Sequence, residues 1–481
     1  MERMKRRTAL LLCLLMMMTT VFTGCGEETL FDAENPVTVT VWNYYSGNQL
    51  DAFDTLVSEF NSTVGKEKGI IVKSKSFGSI DDLQDNLLAA AKGDVGAEEV
   101  PDIFMAYADI AYAMDQMGKV VDLSSYFTEE EIASYVEGYI KEGDFNRNGE
   151  LKILPIAKST EVMIMNKTDW NKFAGATGAS YDDISTIEGL TATAEKYYNW
   201  TDSLTPGISN DGKALFGRDA VANFLLVGSV QQGHDMFVVE DGHMTLDFDK
   251  SAIRNIWDNY YVPFIKGHFA ATGRFRSDDI KTGNIISYVG SSSGVSFFPE
   301  SVSISDTENY RIEMDILPAP GFKNGQKFAA QQGAGVSVAT STEAEVVASV
   351  EFLKWFTQPE QNIGFCVDAG YLPVTVEAND ADRILAEEKS ISDAVEMNLL
   401  VSVDTINNNT IYTTAAFEGA TDARKLLEYN ISDLAIADRK VVVEKLAAGE
   451  SLAKATESYC SDEYFEQWYT NMLEALKVYE K

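Results

Sequence analysis

Trp42, Tyr44 and Tyr45 stand almost side by side, with Ser46, Gly47 and Asn48 directly after them. Rings beside short polar groups suit the noncovalent capture of a polyhydroxylated solute. An aromatic face accepts a flat patch of C–H bonds, and neutral donors and acceptors satisfy hydroxyls. Comparable mixtures recur along the chain: Tyr107 with Asp109, the triplet Ser159, Thr160 and Glu161, the amide pairs Gln231-Gln232 and Gln331-Gln332, and the hydroxyl run containing Ser291 and Ser292. Each has a structural alternative. Alternate rings of a buried strand fill a core, Asp109 can cap a helix, and Glu161 can hold a hinge instead of two solute hydroxyls.

Covalent chemistry is poorly supplied. Gly290-Ser291-Ser292-Ser293-Gly294 fits the G-x-S-x-G nucleophile elbow, but that fold places its His after the Ser, and His234, His243 and His268 all precede Ser292. Asp144, Asn146, Asn148 and Gly149 match half of a calcium loop, whose twelfth position, normally a bidentate Glu, is Pro155. With no H-E-x-x-H spacing and few cysteines, no zinc cluster is expected. Gly333-Ala334-Gly335 lacks the rest of a phosphate loop. No catalytic residue, metal or cofactor is therefore assigned. A glycosidase needs only two carboxylates about 5 to 10 Å apart, so a secreted glycoside-active enzyme stays open as an alternative.

The 481 residues carry 39 Lys plus Arg against 74 Asp plus Glu, a formal charge of -35, with 45% hydrophobic residues. This is a globular composition with an acidic surface. It argues against nucleic acid as partner and against charge-driven binding to an anionic membrane. Residues 1–24 read as a secretory signal: Arg3, Lys5, Arg6 and Arg7 precede an apolar run, Thr8 to Phe22, too short to span a bilayer. Phe22-Thr23-Gly24-Cys25 resembles a bacterial lipobox, which implies lipidation of Cys25, an acidic linker over 25–35 and attachment to the outer face of the cytoplasmic membrane. Cys366 and Cys460 then remain, too few for a disulfide scaffold.

The elements that must position these groups follow from periodicity. Pro36 to Tyr45 is β-branched and aromatic and reads as a buried strand. Leu50, Phe53, Val57 and Phe60 mark an amphipathic helix behind it. Ile70 to Lys75 is a second strand, Ser79 opens a helix carrying Leu83 and Leu87, and Pro101 to Tyr107 is a third strand. Such alternation predicts a parallel sheet with helices on both faces. Helical patterns dominate for about a hundred residues from Leu190. Strand-like runs return at Ile285 to Val289 and Met314 to Leu317, and beyond Thr342 the chain is mostly helical.

Several segments, in order, resemble the extracellular solute-binding proteins of ABC transporters, in the branch related to maltose-binding protein. They are Val39-Thr40-Val41-Trp42, Pro101-Asp102-Ile103-Phe104, the run from Leu154 to Glu161 leading to Met165-Asn166-Lys167, Leu317 to Gly321, Gly333 to Val338, Val350 to Thr357, and Gly370 to Val374. The resemblance implies a two-lobed α/β periplasmic-binding-protein fold (type II) with a hinge and a mostly helical C-terminal region. It assigns 36–156 and 288–326 to one lobe, and 157–287 and 327–481 to the other. It further implies a monomer that closes over a carbohydrate and delivers it to permease subunits. A pyranose, with its C–H face and hydroxyls, would suit the aromatic and amide groups above; another polar solute such as a peptide is the remaining alternative.

Overall fold

The computed structural model describes residues 30–145, 148–240, 243–305, 307–387 and 391–480. The expected leader, Cys25 and the first part of the linker lie outside the described residues. In chain order the strands are β1 (Val37–Asn43), β2 (Ile70–Ser76), β3 (Ile103–Ala106), β4 (Glu161–Asn166), β5 (Phe216–Arg218), β6 (Phe237–Glu240), β7 (His243–Leu246), β8 (Ser287–Ser291), β9 (Ser301–Ser305), β10 (Glu308–Arg311), β11 (Met314–Pro318), β12 (Phe328–Ala330), β13 (Gly335–Val338) and β14 (Thr410–Tyr412).

Two four-stranded sheets organise the molecule. The first runs β13-β3-β1-β2; β1 is parallel to β2 and β3, and β13 is antiparallel to β3. The second runs β11-β4-β8-β5; β4 is antiparallel to both β11 and β8, and β5 is parallel to β8. Both sheets are therefore mixed, and the expected all-parallel arrangement holds only for β1 to β3. Each sheet has its own apolar core, which defines two lobes.

In the first lobe the helix Asn48–Ser62 buries Phe53, Leu56, Val57 and Phe60 on one stripe, each side chain contributing about 1.5–3 kcal/mol by leaving water. The next helix, Ile80–Lys92, starts as its sequence dictates: Ser79 Oγ accepts from the Asp82 N–H. The helix Val221–Gln231 of the second lobe is apolar nearly all round and buried over Val221–Ser229, as expected of a core helix.

Pairing corrects the division into segments expected from sequence. Residues 288–326 were expected beside β1, yet β8 and β11 both pair with β4 and so belong to the second lobe. Conversely β13, the helix Glu343–Phe356 and the helix Pro359–Ala369 contribute Val336, Phe352, Phe356 and Phe365 to the first core. Apolar strand runs of this kind carry no label for their sheet, because burial on both faces suits either one.

The second lobe also holds a titrating group that sets a pH response. His268 is buried against Tyr198, ring centroids 5.3 Å apart, and burial, reinforced by Lys266 and Arg439, lowers its pKa to about 4. Above pH ~6.5 neither folded nor unfolded chain binds this proton; as pH falls below that, the unfolded chain takes it up first, so stability drops until about pH 4. Denaturation midpoints should therefore fall by roughly 2–3 kcal/mol more in the wild type than in His268→Phe between pH 7 and 4. Parallel pH curves for the two proteins would contradict this account.

Candidate functional site

Three crossings join the lobes, and they are laced side by side. Ser159 exchanges both backbone hydrogen bonds with Gln332 (2.9 and 2.8 Å), and β12 runs parallel to β14, with the Gln331 N–H donating to the Tyr412 carbonyl (3.0 Å). Lys158 forms a further bridge with Leu372. Beside this ribbon lie the carboxyl ends of β1 and β3, where solutes collect in open α/β sheets.

Tyr44 follows β1 and Tyr107 follows β3. The Tyr44 hydroxyl accepts from the Ala334 N–H (3.4 Å) and lies 3.3 Å from the Tyr371 hydroxyl. The Gly333 N–H donates to Tyr107. Burial keeps these phenols protonated: Tyr44 and Tyr371 sit well above the ordinary phenol range, and Tyr107 is pushed up to about 12. On the other side of the ribbon the Ser291 hydroxyl donates to the Ser159 hydroxyl (3.1 Å) and lies 2.9 Å from that of Ser293. The result is a set of neutral hydroxyl groups from both lobes beside the crossings, where a gap between the lobes would open.

Charges border the gap in pairs. Lys158 is completely buried, ion-pairs with Glu142 and donates to the Gly333 carbonyl (2.8 Å); Glu142 also accepts from the Gln331 amide (3.0 Å). Glu161 accepts from Arg218 and from the Asn223 amide (3.1 Å). Arg276 pairs with Asp279 and approaches Asp219, whose pKa burial raises to about 6 against the pull of Arg276. Ala220, the residue after Asp219, is left-handed (φ 48°), a conformation that non-glycine residues avoid and that clusters at sites. The helix it introduces is capped by Glu428, which accepts from the Val221 and Ala222 N–H groups (3.0 and 2.8 Å). Glu428→Ala should lower stability by about 1–2 kcal/mol, read in urea denaturation; an unshifted midpoint would show that water replaces the cap at no cost.

The structure brings Tyr44, Tyr107, Ser159, Ser291 and Gln331 to the gap, with Asp109 at the start of the helix Ala108–Gln116. Among the described residues, Asp109 accepts only from the neighbouring Ile110 N–H (2.9 Å). Other expected site residues lie elsewhere. Trp42 is 5% exposed and packs on Phe77, and Tyr45 is buried among Phe53, Phe365 and Tyr371. Both follow the core alternative. Ser46 is exposed beyond the strand end. Thr160 and Ser292 are buried in hydrogen bonds with the Ala330 carbonyl and the Thr160 N–H. Gln231 braces a loop by accepting from the Phe322 N–H and donating to the Phe328 carbonyl, beside a cavity of about 150 Å³ behind β12. Gln232 donates to the Gly228 carbonyl and accepts from Asn255. Gln332 joins the ribbon through its backbone, and its amide oxygen is buried without a partner.

Glu142, Lys158, Arg218, Asp219, Asn223, Tyr371 and Arg424, which contact these groups or their partners, were not singled out in sequence. Lys158 had a signal, standing in the quoted crossing segment. The others are joined by pairings that local patterns do not carry.

Two lobes with separate cores, three laced crossings and a polar gap at strand ends define a hinged binding protein. The chain belongs to the bacterial extracellular solute-binding proteins, whose family model matches residues 55–397. Among solved structures it is similar to the cyclic alpha-maltosyl-1,6-maltose binding protein of Arthrobacter globiformis (18% identity, TM-score 0.64, covering 92% of this chain and 100% of that one). UgpB of Mycobacterium tuberculosis in complex with glycerophosphocholine is similar at 18% identity and TM-score 0.64, covering 92% and 98%. The maltose/maltodextrin-binding domain MalE of Bdellovibrio bacteriovorus, bound to maltotriose, matches at 14% identity and TM-score 0.61, covering 92% and 100%. No curated protein matches the sequence.

Proposed function

We propose that this protein is the capture subunit of an ABC importer, holding a carbohydrate between its lobes and passing it intact to the permease. The observation that carries this reading is the convergence of neutral phenols, serine hydroxyls and an amide, Tyr44, Tyr107, Tyr371, Ser159, Ser291 and Gln331, beside the crossings between the lobes. Protonated phenols and amides can donate to and accept from sugar hydroxyls, and the half-buried rings of Tyr44 and Tyr107 offer apolar contact. The saccharides bound by two of the structural neighbours support the same class. Two of the carboxylates at the crossings, Glu142 and Glu161, are held by Lys158 and Arg218 and are not placed as free proton carriers.

The mechanism is a population shift. A solute touching both lobes binds the closed form better than the open one, so it moves the hinge equilibrium by the difference. The closed surface is then the signal to the permease. Cys25, lipidated, holds the monomer at the outer face of the membrane; two or more acyl chains anchor firmly where one would not.

A panel of mono- and oligosaccharides tests this. A true ligand at a hundred times its dissociation constant should stabilise the protein by about 2.7 kcal/mol, and mass spectrometry of the same mixtures should recover it uncut. Stabilisation by none of them, or appearance of shorter products, would overturn the reading.

A further inference from the structure

Among the described residues, three cations near the crossings are neutralised at contact distance: Lys158 by Glu142, Arg218 by Glu161, Arg276 by Asp279. Arg424 is not. Its guanidinium donates to the Asn223 amide oxygen (2.7 Å) and the Thr414 hydroxyl (3.4 Å), both neutral, and among the described residues no carboxylate lies within 4.0 Å of it. That is conspicuous in a chain with 74 carboxylates against 39 basic residues. Arg424 is the fifth residue of the helix Ala420–Ala447, beyond the first turn where the helix dipole acts, and no contacting carboxylate offsets its charge.

Its position explains what could. The helix Ala420–Ala447 packs in the second core through Ala423 and Leu427, yet it also touches the helix Ala108–Gln116 of the first lobe. Arg424 therefore sits at the closing edge of the gap, near enough to the Tyr107 phenol of the opposite lobe to oppose the rise in its pKa. Asn223 aligns it: the same amide that accepts from Arg424 donates to Glu161 on the crossing. A planar guanidinium held by two neutral acceptors, with N–H groups to spare, is preorganised for a forked contact with a carboxylate or phosphate.

We propose that Arg424 selects solutes bearing an anionic group, so that the captured carbohydrate is an acidic one, a uronic acid or a sugar phosphate. This rests on the carbohydrate reading and narrows it. Asp109, which among the described residues has no cation within 4.0 Å, is in the opposite lobe and would face the hydroxyl-bearing part of such a solute.

The test compares each acidic saccharide with its neutral parent by calorimetry: glucuronate and galacturonate oligomers against the corresponding neutral oligomers in one arm, glucose phosphates and glycerol phosphate against glucose and glycerol in the other. In the wild type the acid of one arm should bind about 10- to 100-fold more tightly than its parent, and the advantage should shrink with added salt. The arm that responds tells carboxylate from phosphate. Arg424→Gln should reduce the advantage to within about twofold, and Arg424→Lys should keep part of it. If neutral parents bind the wild type as well as or better than the acids, the inference falls while the carbohydrate reading stands. If no saccharide of either kind binds, the carbohydrate reading itself falls, and this inference with it. The wild-type comparison decides the matter even should a variant fold poorly.

Discussion

Lys158→Met should lower stability by about 3–5 kcal/mol. The side chain has no exposed surface, and its ammonium is shared between Glu142 and the Gly333 carbonyl. Removing it strands a buried carboxylate with only the Gln331 amide for support, which is the costly half of the comparison: a lost pair is cheap, an unpaired buried charge is not. Burial already pushes the Glu142 pKa up against the pull of Lys158. The double variant Glu142→Gln/Lys158→Met should therefore recover a large part of the loss. Urea denaturation of the two singles and the double settles it; a double variant as unstable as the sum of the singles would show that the pair is not what holds the crossing.

Trp42→Ala should likewise cost about 3–5 kcal/mol and act on folding. The ring lies 4.8 Å from Phe77, with the Lys75 ammonium 5.3 Å above it, and faces the core. From sequence it was a binding platform, and truncation would then have spared the fold. Tyr44→Phe provides the contrast: it removes one hydroxyl at the gap, so it should weaken capture with only a small change in denaturation midpoint. Loss of binding by a stably folded Trp42→Ala would return that ring to the site.

Those two aromatics show how far the sequence could be read. That β1 is a buried strand, that Phe53, Val57 and Phe60 share a helix face and that Ser79 caps the next helix all depend on neighbours within four residues, and all appear as expected. Which of Trp42, Tyr44 and Tyr45 faces the gap depends on the end of the strand, where strict alternation gives way: Tyr44 turns to the crossing while Trp42 and Tyr45 pack inward. β5 escaped notice because three residues, Phe216 to Arg218, are too few for a period, lying in a stretch that is otherwise helical. Its Arg218 meets Glu161 57 positions earlier in the chain, and Arg424 meets Asn223 201 positions away. Separations of that size are a property of the folded topology. So is the sheet membership of β8 and β11, which the order of motifs identified as strands but could not assign to a lobe.

Lacing the three crossings together limits what the hinge can do. Backbone hydrogen bonds run from Ser159 to Gln332 and from Gln331 to Tyr412, so one strand cannot slide along its neighbour without breaking them, whereas the ribbon can flex as a unit about its own plane. Sliding of one crossing past another is thereby opposed, which favours a swing of one lobe against the other with the contacts of each wall already made. Little rearrangement is left for the moment a guest arrives, and the energy of that encounter can go into shutting the door.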